Sequence, residues 1–206
     1  PPPVYLAGVR EIADRYGIVF ILDEVMAGFA RAGEWFAFDA FDVAPDLITF
    51  AKGVNSGYVP LGGVVISDEI ARTFDDRVFP GGLTYSGHPL AAASAVATIE
   101  AMADENIVEH AARMGTDILG PRLREIAERH AVVGEVRGRG VFWAVELVAD
   151  RQTREPLGAE RMAALKKDLL DQGLLGFFAE NRLHVVPPAV VTESELDRGL
   201  TIIDAA

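Results

Sequence analysis

The apolar positions fall into short runs whose period switches between helical and extended. Over residues 4–16, Leu6, Val9, Ile12, Ala13 and Tyr16 recur at helical spacing, and Gly17 stands where a C-terminal stop belongs. The unbroken run Ile18-Val19-Phe20-Ile21-Leu22 predicts a strand over 19–22 that closes at Asp23, and the runs at 47–50 and 63–66 predict two more. Strands apolar on both sides suit a parallel sheet packed between helices. Ser67 followed by Asp68 and Glu69 opens a short helix, Pro80-Gly81-Gly82 breaks the chain, and Pro89 fits the first turn of a small-residue helix over 90–102.

Near Asp104-Glu105-Asn106 the pattern shifts to a charged amphipathic helix running to about residue 130. A boundary is therefore expected there, dividing 1–104 from 105–206. Residues 132–136 and 141–147 predict strands joined through Arg137-Gly138-Arg139-Gly140 as a turn or bulge. A helix over 159–172 stops at Gly173, a strand over 183–186 stops at Pro187-Pro188, and Thr192 caps a last helix over 193–203. The alternation reads as an α/β fold.

Composition narrows the function classes. In 206 residues, half of them hydrophobic, there is material for one large or two small domains. A net charge of -12 without clustered lysine and arginine argues against nucleic acid as a partner. No apolar run is long enough to span a bilayer, and Pro1-Pro2-Pro3 lacks the basic and apolar regions of a signal peptide, so no membrane partner is expected. Without cysteine there is no disulfide or thiol chemistry, which is compatible with a reducing cytoplasm. No Gly-x-Gly-x-x-Gly follows the first strand, which disfavours a nicotinamide cofactor, and no metal ligands are assigned.

The chemistry is expected at Asp23 and Lys52. Both stand at or just past the ends of apolar strands, and in open α/β sheets ligands bind beyond the carboxyl ends of the strands. A carboxylate and an amine converging there suit an aldehyde cofactor with a basic ring nitrogen. The surrounding residues carry a resemblance. Leu22-Asp23-Glu24-Val25-Met26-Ala27-Gly28-Phe29, Pro45 to Gly53, Pro60-Leu61-Gly62-Gly63-Val64, Thr84-Tyr85-Ser86-Gly87-His88-Pro89-Leu90 and Gly138 to Leu147 follow one another in an order and spacing that resemble the class III aminotransferases, pyridoxal phosphate enzymes of fold type I.

That resemblance implies a set of roles. Lys52 joins the cofactor aldehyde and later moves a proton; Asp23 keeps the ring nitrogen protonated; Val25 lies against the ring, with a plain core valine as the other reading. Glu24 is expected only to hydrogen-bond neighbouring backbone. Thr84 corresponds to the threonine that binds the cofactor phosphate of the neighbouring subunit, implying a homodimer with shared sites; the other reading is a loop cap. Several family members have an arginine ten residues before the first proline of the Pro-Pro pair, where this chain has Phe177. Arg182 is the substitute for holding a substrate carboxylate, against the alternative of an edge-strand arginine facing water. Asn181-Arg182 resembles the subset acting on ω-amino acids and taurine. The implied activity is transfer of an amino group from an amine, ω-amino acid or taurine-like donor to a 2-oxo acid such as pyruvate or 2-oxoglutarate. An aminomutase, a decarboxylase or a non-catalytic fragment are the alternatives. The resemblance also implies a preceding segment with a glycine-rich phosphate turn, so the chain is expected to be the C-terminal half of such an enzyme, with part of the large mixed-sheet domain before residue 105 and an α+β small domain after it.

Overall fold

The computed structural model describes all 206 residues, and the chain divides into two compact units, Pro1–Asn106 and Ile107–Ala206. In the first unit, helix α1 spans Tyr5–Tyr16, and Gly17 ends it in the left-handed conformation at φ 62, its N–H turned back to the carbonyls of Ala13 and Asp14. Strands β1 (Ile21–Asp23), β2 (Leu47–Phe50) and β3 (Gly63–Ile66) form one sheet in that order. Strand β1 is shorter than its apolar run because Asp46 takes over the backbone at Phe20. Its carboxylate accepts the Phe20 N–H at 2.7 Å and the guanidinium of Arg10 at 2.9 Å, while its own N–H donates to the Phe20 carbonyl. Those bonds hold the Asp46 carboxyl below its ordinary pKa, the Phe20 amide being the main cause.

The sheet is mixed, as the resemblance implies, rather than the wholly parallel, doubly covered one that the unbroken apolar runs suit. Strands β1 and β2 are parallel, with Asp23 opposite Thr49, but β3 runs antiparallel to β2. Ile21, Val64, Val65 and Ile66 remain exposed within this unit. Helix α2 (Asp68–Arg72) begins where Ser67 Oγ accepts the Ile70 N–H, and α3 (Pro89–Asp104) carries Pro89 in its first turn. Two small cores result. One gathers Ala13, Phe20 and Val43; the other gathers Phe29, Val54 and Ala95.

In the second unit the long amphipathic helix is continuous but changes pitch along its length. Helix α4 (Ile107–Arg113) passes through a π-helical turn at Met114–Leu119 into α5 (Gly120–Arg129). The glycines show why the segment is close-set: a Cβ on Gly115 would lie 2.0 Å from the Gly140 carbonyl oxygen, and one on Gly120 would lie 2.6 Å from the Trp143 ring. Strands β4 (Val133–Arg139), β5 (Phe142–Asp150) and β6 (Glu155–Pro156), helix α6 (Ala159–Asp171), strands β7 (Phe177–Ala179) and β8 (Arg182–Val185) and helix α7 (Glu193–Ala205) follow. The sheet order is β4-β5-β8-β7, all antiparallel, with β6 beside β5.

Of Arg137-Gly138-Arg139-Gly140 only Gly140, at φ 52, lies in the turn, because Gly138 pairs with Trp143 and Arg139 with Phe142; the register shift lies between Val133 and Glu135. One sheet face buries Trp143, Val145 and Leu183, and Val145, Leu147 and Leu183 line a cavity of about 340 Å³ with Ile126 of α5, Leu169 of α6 and Ile203 of α7. The other face carries Glu135, Glu146 and Arg182 in one cross-strand row and Arg137, Ala144, His184 and Phe177 in the next. Arg151 closes the end of α5 by donating to the carbonyls of Ala127 and His130. No helix is long and apolar enough to cross a membrane.

Candidate functional site

Parallel pairing of β1 with β2 brings their carboxyl ends to one sheet edge. The pairing extends a step past Asp23, since the Glu24 N–H donates to the Thr49 carbonyl at 2.9 Å. Asp23 is exposed, and its Oδ1 accepts the Val25 N–H at 3.0 Å, which orients the carboxylate and leaves Oδ2 for another donor. Lys52 lies three residues beyond Thr49. Its amine is exposed and enters no ion pair or hydrogen bond. It opens a short 3-10 turn, Lys52–Asn55, with φ at 43, a left-handed conformation that a residue with a side chain adopts at a cost.

Behind this edge, Glu24 is buried and does more than bond its neighbours. Its two carboxylate oxygens accept the N–H groups of Ala37 at 3.0 Å and Phe38 at 3.1 Å, thirteen and fourteen residues on. Burial pushes its proton affinity up while those two amides pull it back. The loop after β1 is thereby fixed to the short 3-10 turn Ala37–Phe41. Local sequence carries no sign of this pairing, and Asp46, which seats the start of β2, was likewise missed although Pro45-Asp46 before an apolar run marks a strand entry.

Val25 is half-buried and belongs to neither small core. Thr84 is exposed in the turn that ends at Gly87, φ 67, and its hydroxyl makes no hydrogen bond, so it does not cap that loop. Arg182 belongs to the second unit. It is not on an edge strand: β8 lies between β5 and β7. One guanidinium nitrogen donates to Glu180 at 2.8 Å, whereas Nε is buried without a hydrogen-bond partner. Phe177 pairs with His184 and Ala179 with Arg182, so Phe177 and Arg182 share a face as diagonal neighbours. The structure thus brings Asp23 and Lys52 to one edge of the first unit, sets Thr84 in a loop of that unit, and carries Arg182 on the sheet of the other.

The edge offers an amine and a carboxylate oxygen, neither engaged by the protein. This donor set fits a group that carries both an aldehyde and a protonated ring nitrogen.

The whole chain, residues 1–206, matches the family model of the aminotransferase class-III proteins. It is 40% identical over 204 residues to a putrescine–pyruvate aminotransferase of Pseudomonas aeruginosa, covering 98% of this chain and 44% of that protein. With a taurine–pyruvate aminotransferase of Rhodobacter capsulatus it shares 37% identity over 220 residues, 100% of this chain and 48% of the relative. The solved structure of taurine:2-oxoglutarate aminotransferase from Bifidobacterium kashiwanohense, in complex with pyridoxal phosphate and glutamate, superposes with a TM-score of 0.95 at 43% identity, covering 100% of this chain and 47% of that one. The chain spans about half the length of the curated relatives it matches.

Proposed function

The chain belongs to the class-III aminotransferase family, and from that premise we propose that it supplies part of the active site of a pyridoxal-phosphate-dependent aminotransferase. The observation that carries this reading is the emergence of Asp23 and Lys52 from the carboxyl ends of two adjacent parallel strands. Pyridoxal phosphate, when bound, supplies an aldehyde that captures primary amines and a ring that accepts electrons. Asp23 holds the proton on the ring nitrogen through its free oxygen, Val25 N–H keeping the carboxylate aimed. Lys52 anchors the aldehyde and, once released by substrate, carries the proton to and from the substrate carbon. Val25 lies against the ring, and Thr84 offers its unengaged hydroxyl to the cofactor phosphate of a second copy, so the working form is a homodimer with shared sites.

The donor is an amine, ω-amino acid or taurine-like compound and the acceptor a 2-oxo acid, pyruvate or 2-oxoglutarate. Support comes from relatives acting on putrescine or taurine with pyruvate, and on taurine with 2-oxoglutarate. Residues 1–104 serve as part of the cofactor-binding large domain and 105–206 as the small domain. The lack of cysteine is compatible with a cytoplasmic enzyme. For the acidic group of the acceptor, Arg182 takes over from the position held by Phe177. Its diagonal place beside Phe177 and its buried, unpartnered Nε favour this role.

The test is covalent. Borohydride reduction after addition of pyridoxal phosphate, followed by peptide mapping, is expected to label Lys52; label on Lys166 or Lys167 instead would sink the assignment. With the amino donor alone, stoichiometric conversion to the carbonyl product marks transamination, whereas loss of carbon dioxide or a migrated amine marks a different reaction. Arg182→Ala is expected to weaken acidic acceptors by about 1.5 to 3 kcal/mol, ten- to a hundredfold, and to spare neutral amines.

A further inference from the structure

The turn that carries Lys52 is held by one unusually close contact. Gly53 has no Cβ, and one built there would lie 2.7 Å from the Cβ of Phe29, nearer than side chains tolerate. Phe29 is brought to that spot by a loop in which two successive residues are left-handed, Phe29 at φ 56 and Ala30 at φ 68. The loop is closed by backbone bonds: the Phe29 N–H donates to the Trp35 carbonyl at 2.6 Å and the Ala30 N–H to the Glu34 carbonyl at 3.1 Å. Such a conformation persists in residues with side chains only where the surroundings over-determine it. Here they are aromatic. The Phe29 ring meets Phe36 edge-on at 5.4 Å and Phe50, the last residue of β2, at 5.9 Å. Phe36 directly precedes the two amides that Glu24 holds.

These contacts form a continuous path. It runs from Glu24, beside Asp23, through residues 36–38 to Phe29, across to Gly53, and so to Lys52. We propose that Phe29 is a positioning residue for Lys52: pressed onto Gly53, it holds the lysine's left-handed turn and keeps the amine at the sheet edge that it shares with Asp23. A turn free to relax would carry Lys52 from φ 43 into the right-handed region, and the Cα–Cβ bond would be re-aimed with it. Misplacement of a reacting group by about an ångström is enough to cost two orders of magnitude in rate. The proposal rests on the reading of Lys52 as the cofactor-anchoring lysine.

Four proteins test it: the parent, Gly53→Ala, Phe29→Gly and the double variant. Two readouts are used. Hydrogen exchange at the Val54 amide, which donates to the Ala51 carbonyl at 3.2 Å inside the turn, needs no cofactor. Borohydride-fixed label at Lys52 after addition of pyridoxal phosphate, followed against pH, reads the amine itself. Gly53→Ala is expected to speed exchange and to cut labelling at Lys52 by roughly tenfold or more. Phe29→Gly is expected to loosen the turn and lower labelling as well, and the double variant to fall no further than the single ones, because with the Phe29 side chain gone alanine at position 53 has nothing to displace. Parent-like exchange in Gly53→Ala overturns the clamp. Parent-like labelling in Phe29→Gly, or losses that simply add in the double variant, overturns the role of Phe29. Altered exchange with unchanged labelling shows a purely structural contact and also overturns the proposal. If Gly53→Ala does not fold, Phe29→Gly decides against Phe29→Leu, which keeps the Cβ and most of the bulk: reduced labelling in the first alone supports the clamp, and equal labelling overturns it. A parent that takes no label at Lys52 refutes the underlying assignment, while the exchange data still report on the clamp.

Discussion

The two units are of similar length, yet they treat their apolar residues in opposite ways. The second contains most of the large hydrophobics that are buried: Met114, Leu119, Leu123, Leu169 and Leu200 are almost wholly inaccessible, and its antiparallel sheet has one covered face and one charged face. The first contains most of the exposed ones, among them Ile21, Val64, Val65 and Ile66 on its sheet and Val78, Phe79, Leu83 and Tyr85 before α3. Apolar area removed from water is the main favourable term in folding, so the second unit can sustain itself. The first unit, which carries Asp23 and Lys52, leaves its sheet strands half-covered. Its chemistry is organised locally by hydrogen bonds and strained turns, through Asp46, Glu24 and the Phe29–Gly53 contact, while its apolar faces await other surfaces.

The strongest way to break this contrast is to separate the units. Residues 107–206 expressed alone are expected to unfold cooperatively in denaturant with native-like circular dichroism. Residues 1–106 alone are expected to show no cooperative transition and to bind a hydrophobic dye. Cooperative unfolding of the isolated first unit would remove the distinction.

A milder probe compares one residue from each. Leu169→Ala opens a hole beside the cavity beneath α6 and is expected to destabilise the chain by about 2 to 5 kcal/mol. Val64→Thr, on the exposed face of β3, is expected to change stability by no more than about 0.5 kcal/mol. Chemical denaturation reads both. A cost above about 1 kcal/mol for Val64→Thr would mean that the strand is covered in solution.

The same contrast decides how much the sequence could disclose. Helical periodicity and caps were legible, because the Gly17 stop, Pro89 and the Thr192–Glu195 capping box are local devices. Apolar runs located β2 and β3 to the residue, but an apolar run carries no sign of strand direction or of what lies over it. Strand β7 escaped notice because three residues, Phe177 to Ala179, make too short a pattern, and without β7 the interior position of Arg182 could not be seen. The π-helical turn was hidden for a different reason: it answers to Gly140 and Trp143, about twenty residues further on. Within the candidate site, Asp23 and Lys52 were legible from strand ends and motif together. The partners of Glu24, thirteen residues away, were not. Val25 and Thr84 were named by resemblance alone.

The smallest expected effect sharpens the comparison through pH. His184 lies in the cross-strand row with Arg137, Ala144 and Phe177, its Nε2 is buried without a partner, and the Phe177 ring meets it edge-on at 5.3 Å. Burial lowers its pKa, and the positive charges of Arg182 and Arg137 lower it further. Between that lowered value and the ordinary value near 6.5, the unfolded chain holds more protons than the folded one, so stability rises with pH through the window and is lost as pH falls through it. Glu24 in the first unit has the opposite sign: burial raises its pKa, so its charged form is the disfavoured one, and acidification through its titration stabilises the fold. Acidifying from pH 7 toward 5 should therefore lower the melting midpoint of residues 107–206 by a small amount, and His184→Phe should flatten that dependence. An unchanged slope in His184→Phe would assign the pH response to the carboxylates of the unit instead, led by Asp204, whose pKa is lowered chiefly by its hydrogen bond with His130. Because the lowered pKa of Asp204 places its loss of stability at still more acidic pH, the slope just below pH 6.5, where the His184 window opens, is the part of the curve that His184→Phe should flatten.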